Sequence, residues 1–417
     1  MPPTKDKIYD VIIVGSGMSG LFTAFLLRCN NPHISLLILE QNNKDHIGGR
    51  ANTQIFYGTK IAIGAGIGRA KKDKILKHLM RQFHIPINTY TVDHANMLTS
   101  SIDVGKTMRQ LRYEYEKHYK KLQDNPQTFE TFAKHVLGTT DYEKFLNSTG
   151  FIDYQQEDAY ETIYEYGMED NLDDWKAFSV PWHELGEKMA QEIGISNFIF
   201  NKKVIGIKKT NDIISVKTQS NITNSILSYS ANKVVVATTI DTVRRLLPNH
   251  TIYKEIEPQP FLRVYGKFDK ASVDILKEVV PKFTYVDFPI QKIIPMNVYN
   301  GVYMIVYNDN ENALALQHKT ENNSKNRTFY EKTLEKVLRL PPGSLHLQAI
   351  RSFYWKYGTH YYTPLDRSVY TSREEFIKKA QRPTENVFVV GELVSRNQGW
   401  TEGAFESVAE IIDELKN

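Results

Sequence analysis

The hydrophobic pattern starts with a nearly unbroken apolar run, Ile8–Val14, whose only charged member is Asp10. A glycine-rich turn follows, Gly15-Ser16-Gly17-Met18-Ser19-Gly20, and then an apolar helix from about Leu21 to Arg28. A second apolar run, Ile34–Leu39, ends at Glu40. Runs without alternation suit strands covered on both faces, as in a parallel sheet with helices on either side. Segment 73–83 instead carries apolar residues at Ile75, Leu76, Leu79, Met80 and Phe83, a helical stripe; segments 107–122, 127–137 and 141–148 read the same way. Strands are expected at Phe198–Phe200, Lys203–Ile207, Ile213–Lys217 and Lys233–Thr238, with a turn at Asn211-Asp212. Further strands are expected at Pro260–Phe268, Gly301–Tyr307 and Leu345–Trp355.

The 417 residues suffice for two or three domains' worth of mass. With 41% hydrophobic and 24% charged residues the composition is that of a globular protein, and a net charge of +4 is too small to argue for nucleic acid. The single cysteine, Cys29, excludes an internal disulfide framework or thiolate metal site; late in a helix, it is expected to be buried. No apolar stretch is long enough to span a bilayer. Because the first strand begins at Ile8, no presequence is expected, and the location that follows is cytoplasmic. Neither a metal nor a nucleic-acid or membrane partner is expected, and oligomeric state is not legible.

The opening strand, turn, helix and second strand form a dinucleotide fingerprint in its proper setting. Gly15 permits the sharp turn, Gly17 lets backbone approach a pyrophosphate, and Gly20 lets helix and strand pack closely. The helix N-terminus faces the phosphates. Glu40, twenty residues past Gly20, is placed to accept from the adenosine ribose hydroxyls.

Nicotinamide and flavin proteins share this opening, and later motifs separate them. Gly48-Gly49-Arg50 follows, then Ile61-Ala62-Ile63-Gly64-Ala65-Gly66. Near the end stand Gly391-Glu392 and Gly399-Trp400-Thr401-Glu402-Gly403-Ala404. In this order the motifs resemble the flavin-containing amine oxidases: monoamine and polyamine oxidases, L-amino-acid oxidases and their relatives. The resemblance covers both ends well and the middle in outline.

The resemblance implies an α/β architecture, a Rossmann-type FAD-binding domain (1–70, 178–250 and 376–417) interleaved with a mixed α+β substrate domain (71–177 and 251–375). It implies FAD, held without a covalent link, and hydride transfer from a substrate α-carbon to flavin N5, giving an imine and, with O2, hydrogen peroxide. Gly49, Arg50, Gly64, Ala65, Gly66, Gly391, Glu392, Gly399, Trp400, Thr401 and Ala404 would join the opening fingerprint around FAD. Val204 would offer backbone hydrogen bonds to adenine. The helix from Thr401 would aim N–H groups at the pyrimidine end of the flavin. Glu402 reads equally as a first-turn acid. Trp400 fits one wall of an aromatic cage around the amine. The segment from Trp355 through a turn to His360, Tyr361 and Tyr362 fits the other, with Tyr361 the first choice.

Three departures from the family pattern stand out. Arg263 occupies the position of a lysine that holds a water near N5, and Lys267 shares its face four residues on. Arginine stays charged and cannot accept a proton, so it would anchor a substrate carboxylate or alter oxygen reactivity. The spacing from Trp355 to the following turn is short, and Ala62 replaces an acid.

From Asp153 to Asp174 there are nine carboxylates and no Lys or Arg. Glu157, Glu161 and Glu165 are expected to line one helix face, with Tyr160, Tyr164 and Tyr166 nearby. As an acidic mouth this would attract basic amines or polyamines by field focusing; as a solvated helix face it would do nothing. A basic amine is therefore favoured. An L-amino-acid oxidase using Arg263 or Arg69 for the carboxylate stays open, as do a related desaturase or mutase and a flavin-bound scaffold without turnover.

Overall fold

The structure, a computed structural model, describes residues 7–168 and 175–416. Strand β1 (Ile8–Val14) lies inside a mostly parallel sheet, with β2 (Leu36–Leu39) on one side and Ile226–Val236 on the other. Both neighbours pair parallel, so β1 is covered on both faces, which is why it reads as an unbroken apolar run. Ile226–Val236 also pairs with Val387–Val389 near the C-terminus and turns back antiparallel through Ile213–Ser220 to Lys202–Thr210. Three separated stretches of chain thus build one sheet.

Helix α1 (Met18–Asn30) starts three residues before the sequence expectation because Gly17 is its cap. It packs against Trp182–Ile193 and the C-terminal helix Thr401–Ala409, with Phe22 edge-on to Phe405 at 5.1 Å. Gly15, at φ +104°, needs glycine, and a Cβ on Gly20 would lie 2.1 Å from the Gly15 carbonyl oxygen. That contact is the physical content of the fingerprint glycines.

The second sheet orders its strands as Leu347–Tyr362, Ile256–Phe268, Val302–Asp309, Lys292–Asn297, Phe283–Tyr285 and His94–Asn96. One face, carrying Leu262, Val264 and Ile305, packs on the helices of that region; the other, carrying Phe261, Arg263 and Tyr265, turns toward the first sheet. The expected helical segments appear as α2 (Lys74–Gln82), Val104–Lys117, Tyr119–Asp124, Phe129–Leu137 and Thr139–Thr149, the first long one being broken at His118. Cys29 is exposed rather than buried, because α1 turns that face to solvent. Among the described residues no helix is long and apolar enough to cross a membrane.

Two further expectations fail. The segment after Trp355 is not a turn: Leu347–Tyr362 is a single strand of 16 residues. Opposite Pro260, which has no N–H to donate, its residues 356–358 bulge out of register, and pairing resumes at Thr359. The described acids of the run do not line up on one helix face either. Its helix spans only Ala159–Tyr164, so Glu157, Glu161 and Glu165 do not share one helix face. Asp158 and Glu161 are buried and paired with Arg373, Glu161 also with Arg396, and buried Glu157 accepts from Thr162 at 2.8 Å. Cations from far along the chain pair with Asp158 and Glu161, a fact invisible in the run's own composition. Glu169, Asp170, Asp173 and Asp174 lie outside the described residues.

Candidate active site

A cavity of about 840 Å³ lies between the two sheets. One end is built by the fingerprint: Gly15, Gly17, Met18 and Ser19, with Glu40 at the end of β2. A Cβ on Gly17 would meet nothing within 4 Å, so this glycine leaves open cavity in front of the α1 N-terminus. That helix has no side-chain cap and no acid in its first turn, so its leading N–H groups suit a pyrophosphate. Gly48 bridges to Gly17, and the turn carries Gly49 and Arg50 into the lining. Gly64, Ala65, Gly66, Val204, Gly391, Glu392, Gly399, Thr401 and Ala404 complete the lining that the motifs had suggested. Gly64 has no room for a side chain: a Cβ there would stand 2.1 Å from the Arg50 carbonyl oxygen.

Ser16 and Gly20 do not line the cavity. Ser16 is buried and donates from N (2.9 Å) and Oγ (2.8 Å) to Glu40 Oε2, while Asn42 N donates to Oε1 at 2.9 Å. These bonds orient the Glu40 carboxylate at the cavity edge. The Val204 carbonyl accepts from Arg245 at 3.0 Å; Arg245, Lys202 and Lys203 also line this end and had no motif to announce them.

Near the middle, Arg50 Nη1 donates to Gly358 O at 2.5 Å, in the strand bulge, and to Glu392 Oε1 at 3.1 Å. His360 Nδ1 lies 2.6 Å from the same Oε1, and Ile240 N–H donates to His360 Nε2, which places the ring proton on Nδ1. Burial works against the Glu392 carboxylate, but His360 and Arg50 prevail and hold it well below the usual carboxylate range. His360 is therefore a buried partner of Glu392, not a group facing a ligand.

At the far end, Trp355 and Trp400 line the cavity, with Trp355 Nε1 donating to Ile63 O at 2.8 Å. Tyr361 and Tyr362 do not reach it. Tyr361 sits beyond Thr359 on the strand, opposite Glu257, and Tyr362 is buried with its hydroxyl on Ser395 O at 2.9 Å. Arg69 is buried beneath Trp400, its guanidinium 3.9 Å from that ring and 2.8 Å from Asp73, so it supports the indole from behind. Lys267 shares the face of Arg263, as its spacing implied, but four residues carry it ~13 Å along the strand. It ends outside the cavity, donating to Phe268 O at 3.0 Å. Tyr265 intervenes, its hydroxyl on Ala62 O at 2.6 Å.

Arg263 itself lines the cavity and is 4% exposed. Its guanidinium packs 4.2 Å from the Tyr307 ring centre, and Lys292 lies 4.5 Å from that centre. Lys292 donates to Gly150 O; burial pulls its ammonium down to about 8 against the opposing charges of Asp309 and Asp153. Both of these acids line the cavity. Burial raises each, Asp309 adds to the rise at Asp153, and Tyr166 donates to Asp153 at 2.5 Å. Phe261, Met304, Tyr307 and Asp309 were not foreseen; the first three lie on strands expected from the pattern, and Asp309 ends the second of them.

A model of the NAD(P)-binding Rossmann-like domain matches residues 13–83. No curated protein sequence matches the chain. Among solved structures, cyclohexylamine oxidase from Brevibacterium oxydans IH-35A superposes with a TM-score of 0.72 at 15% identity, over 99% of this chain and 100% of that one. A putrescine oxidase double mutant from a redesign of cofactor binding superposes with a TM-score of 0.73 at 14% identity, over 98% of each chain. From end to end, the chain has the fold of these two amine oxidases.

Proposed function

We propose that the protein is an FAD-dependent amine oxidase. The observation that carries this reading is the single cavity that begins at a glycine-rich helix N-terminus and ends between Trp355 and Trp400. Bound FAD would supply the electron sink, taking a hydride from the substrate α-carbon and passing two electrons to O2, so that an imine and hydrogen peroxide result. In this reading Glu40 accepts from the ribose, the α1 N-terminus and the Gly48–Arg50 turn hold the pyrophosphate, and Glu392 orients Arg50. The Thr401–Ala409 helix presents its N-terminus to the flavin ring.

The chain's own contribution to chemistry is a dry, oriented cage. Two indoles shape a slot for the amine, and exclusion of water favours its neutral form, whose lone pair the reaction needs. The inward pairing of Asp158 and Glu161 takes these two acids out of any field that would focus polyamines, while Asp153 and Asp309 line the cavity beside Arg263 and Tyr307.

Anaerobic visible spectra of the FAD-loaded protein, mixed in turn with spermine, simple monoamines and L-amino acids, test the reading. Bleaching of the flavin band by one class, with peroxide released on admitting O2, is expected. A band that nothing bleaches refutes it; bleaching without peroxide turns the reading toward a dehydrogenase or desaturase.

A further inference from the structure

The strands Ile256–Phe268 and Val302–Asp309 run antiparallel with Arg263 opposite Tyr307 and Phe261 opposite Asp309. All four line the cavity, on successive rungs of one sheet face. The cations near this cavity differ in one respect. Arg50 is paired with Glu392, Lys282 with Asp93, and Lys292 lies against two acids. Arg263 forms no ion pair among the described residues, and of the other lining cations without one, Lys202, Lys203 and Arg245, none is buried as it is. Its Nε, buried, has no hydrogen-bond partner, and the contact of its Nη1 is the Met304 sulfur at 4.0 Å. Around it lie the faces of Tyr307 at 4.2 Å and Phe261 at 5.8 Å, the Tyr265 and Tyr307 hydroxyl oxygens, which accept from it, and the Lys292 charge; no anion is among them.

A guanidinium cannot shed its charge when buried, and aromatic faces replace only part of the hydration it has lost. A cation fixed in this way is matched to an anion that arrives from outside. Its planar fork suits a carboxylate, which takes two parallel N–H···O bonds. One rung away, Asp309 stands diagonal to Arg263, ~7 Å distant on an antiparallel ladder. Asp153 lines the same region. Acid and base at this separation match the ammonium and carboxylate carried by a single α-carbon.

We propose that Arg263 is the seat for a substrate carboxylate, so that the amine oxidised here is an amino acid. The proposal rests on the amine-oxidising reading of the cavity and narrows it. The amino acid loses a hydride from its α-carbon to FAD and a proton from nitrogen to solvent, leaving an imino acid, with O2 as the final acceptor of the two electrons.

The first test needs no turnover. Calorimetric titration of the FAD-loaded protein with benzoate and with 3-methylbutanoate, neither of which can be oxidised as an amine, should show binding. Arg263→Met should weaken it roughly 100-fold, with Arg263→Lys intermediate. Absence of carboxylate binding, or equal binding by Arg263→Met with a native circular dichroism spectrum, overturns the proposal. Should Arg263→Met not fold, the comparison of wild type with Arg263→Lys and Arg263→Gln decides in the same way. The second test sets L-leucine against 3-methylbutylamine, the same skeleton without its carboxylate, in anaerobic flavin reduction. Faster reduction by the amino acid is expected, and faster or equal reduction by the amine overturns the proposal. If neither compound nor any other amine reduces the flavin while carboxylate binding still depends on Arg263, the oxidase reading falls and the anion seat stands.

Discussion

Glu402→Ala removes a carboxylate that serves a helix other than its own. Helix α2 begins after Asp73, but Asp73 makes no cap bond, because its carboxylate takes the backbone N–H and Nε of Arg69 at 2.7 and 2.8 Å. The Ile75 and Leu76 amides are satisfied instead by Glu402, at 2.7 Å to Oε1 and 3.0 Å to Oε2. Glu402 is buried, on the helix whose first turn faces the cavity. Two hydrogen bonds to a charged acceptor contribute about 1.5–3 kcal/mol each. Burial opposes the charge, raising the Glu402 carboxyl despite both amides, which brings the net to roughly 3 kcal/mol. At ~2 °C per kcal/mol for a chain of this size, Glu402→Ala should lower Tm by roughly 6 °C. Glu402→Gln keeps one acceptor and should lose about half as much. Differential scanning calorimetry of the FAD-loaded protein at pH 7 measures both. An alanine variant that melts with the wild type, or a glutamine variant worse than alanine, would refute the view of Glu402 as the cap of α2.

Gly20→Ala places a methyl 2.1 Å from the Gly15 carbonyl oxygen and should open the fingerprint turn, seen as a lower flavin-to-protein ratio after gel filtration. Lys292→Met leaves Asp153 and Asp309 without their cation and should cost about 3 kcal/mol in urea unfolding, most of it recovered by adding Asp309→Asn. Burial alone would raise Glu392, but His360 and Arg50 hold it from 4.5 down to about 2. Its stabilisation is thus complete above pH ~4.5 and lost as pH falls through ~2, so the gap in Tm between wild type and Glu392→Gln should be constant from pH 7 to ~5 and shrink below that. Trp355→Phe keeps an aromatic wall but loses the bond to Ile63 O; flavin reduction should slow with FAD content unchanged, and a parallel loss of FAD would show that Trp355 supports the cofactor rather than the substrate.

The two ends of the chain were legible because their signals are local. A strand covered on both faces must be apolar at every position, a turn at φ +104° must be glycine, and a helix that meets a carbonyl at Gly20 has no room for a Cβ. Such constraints act on the residue that bears them, so Gly15, Gly17, Gly20, Glu40 and the later glycine motifs could be read in order. The far end of the cavity obeys no such rule. Sequence favours Tyr361 for the cage wall, and only the register opposite Pro260 keeps Trp355 at the cavity and carries Tyr361 past it. Asp158 and Glu161 read as part of a solvated face, yet Arg373 and Arg396, more than two hundred residues away, draw them inward. Lys267 has the right parity and the wrong distance. Sequence by itself determined the fold and the glycine-lined end of the cavity, where covalent geometry and burial speak through single positions. The tertiary structure alone decided which charges meet in the cavity, because pairing across strands and between distant segments depends on register and proximity, and neither is written in the composition of one segment.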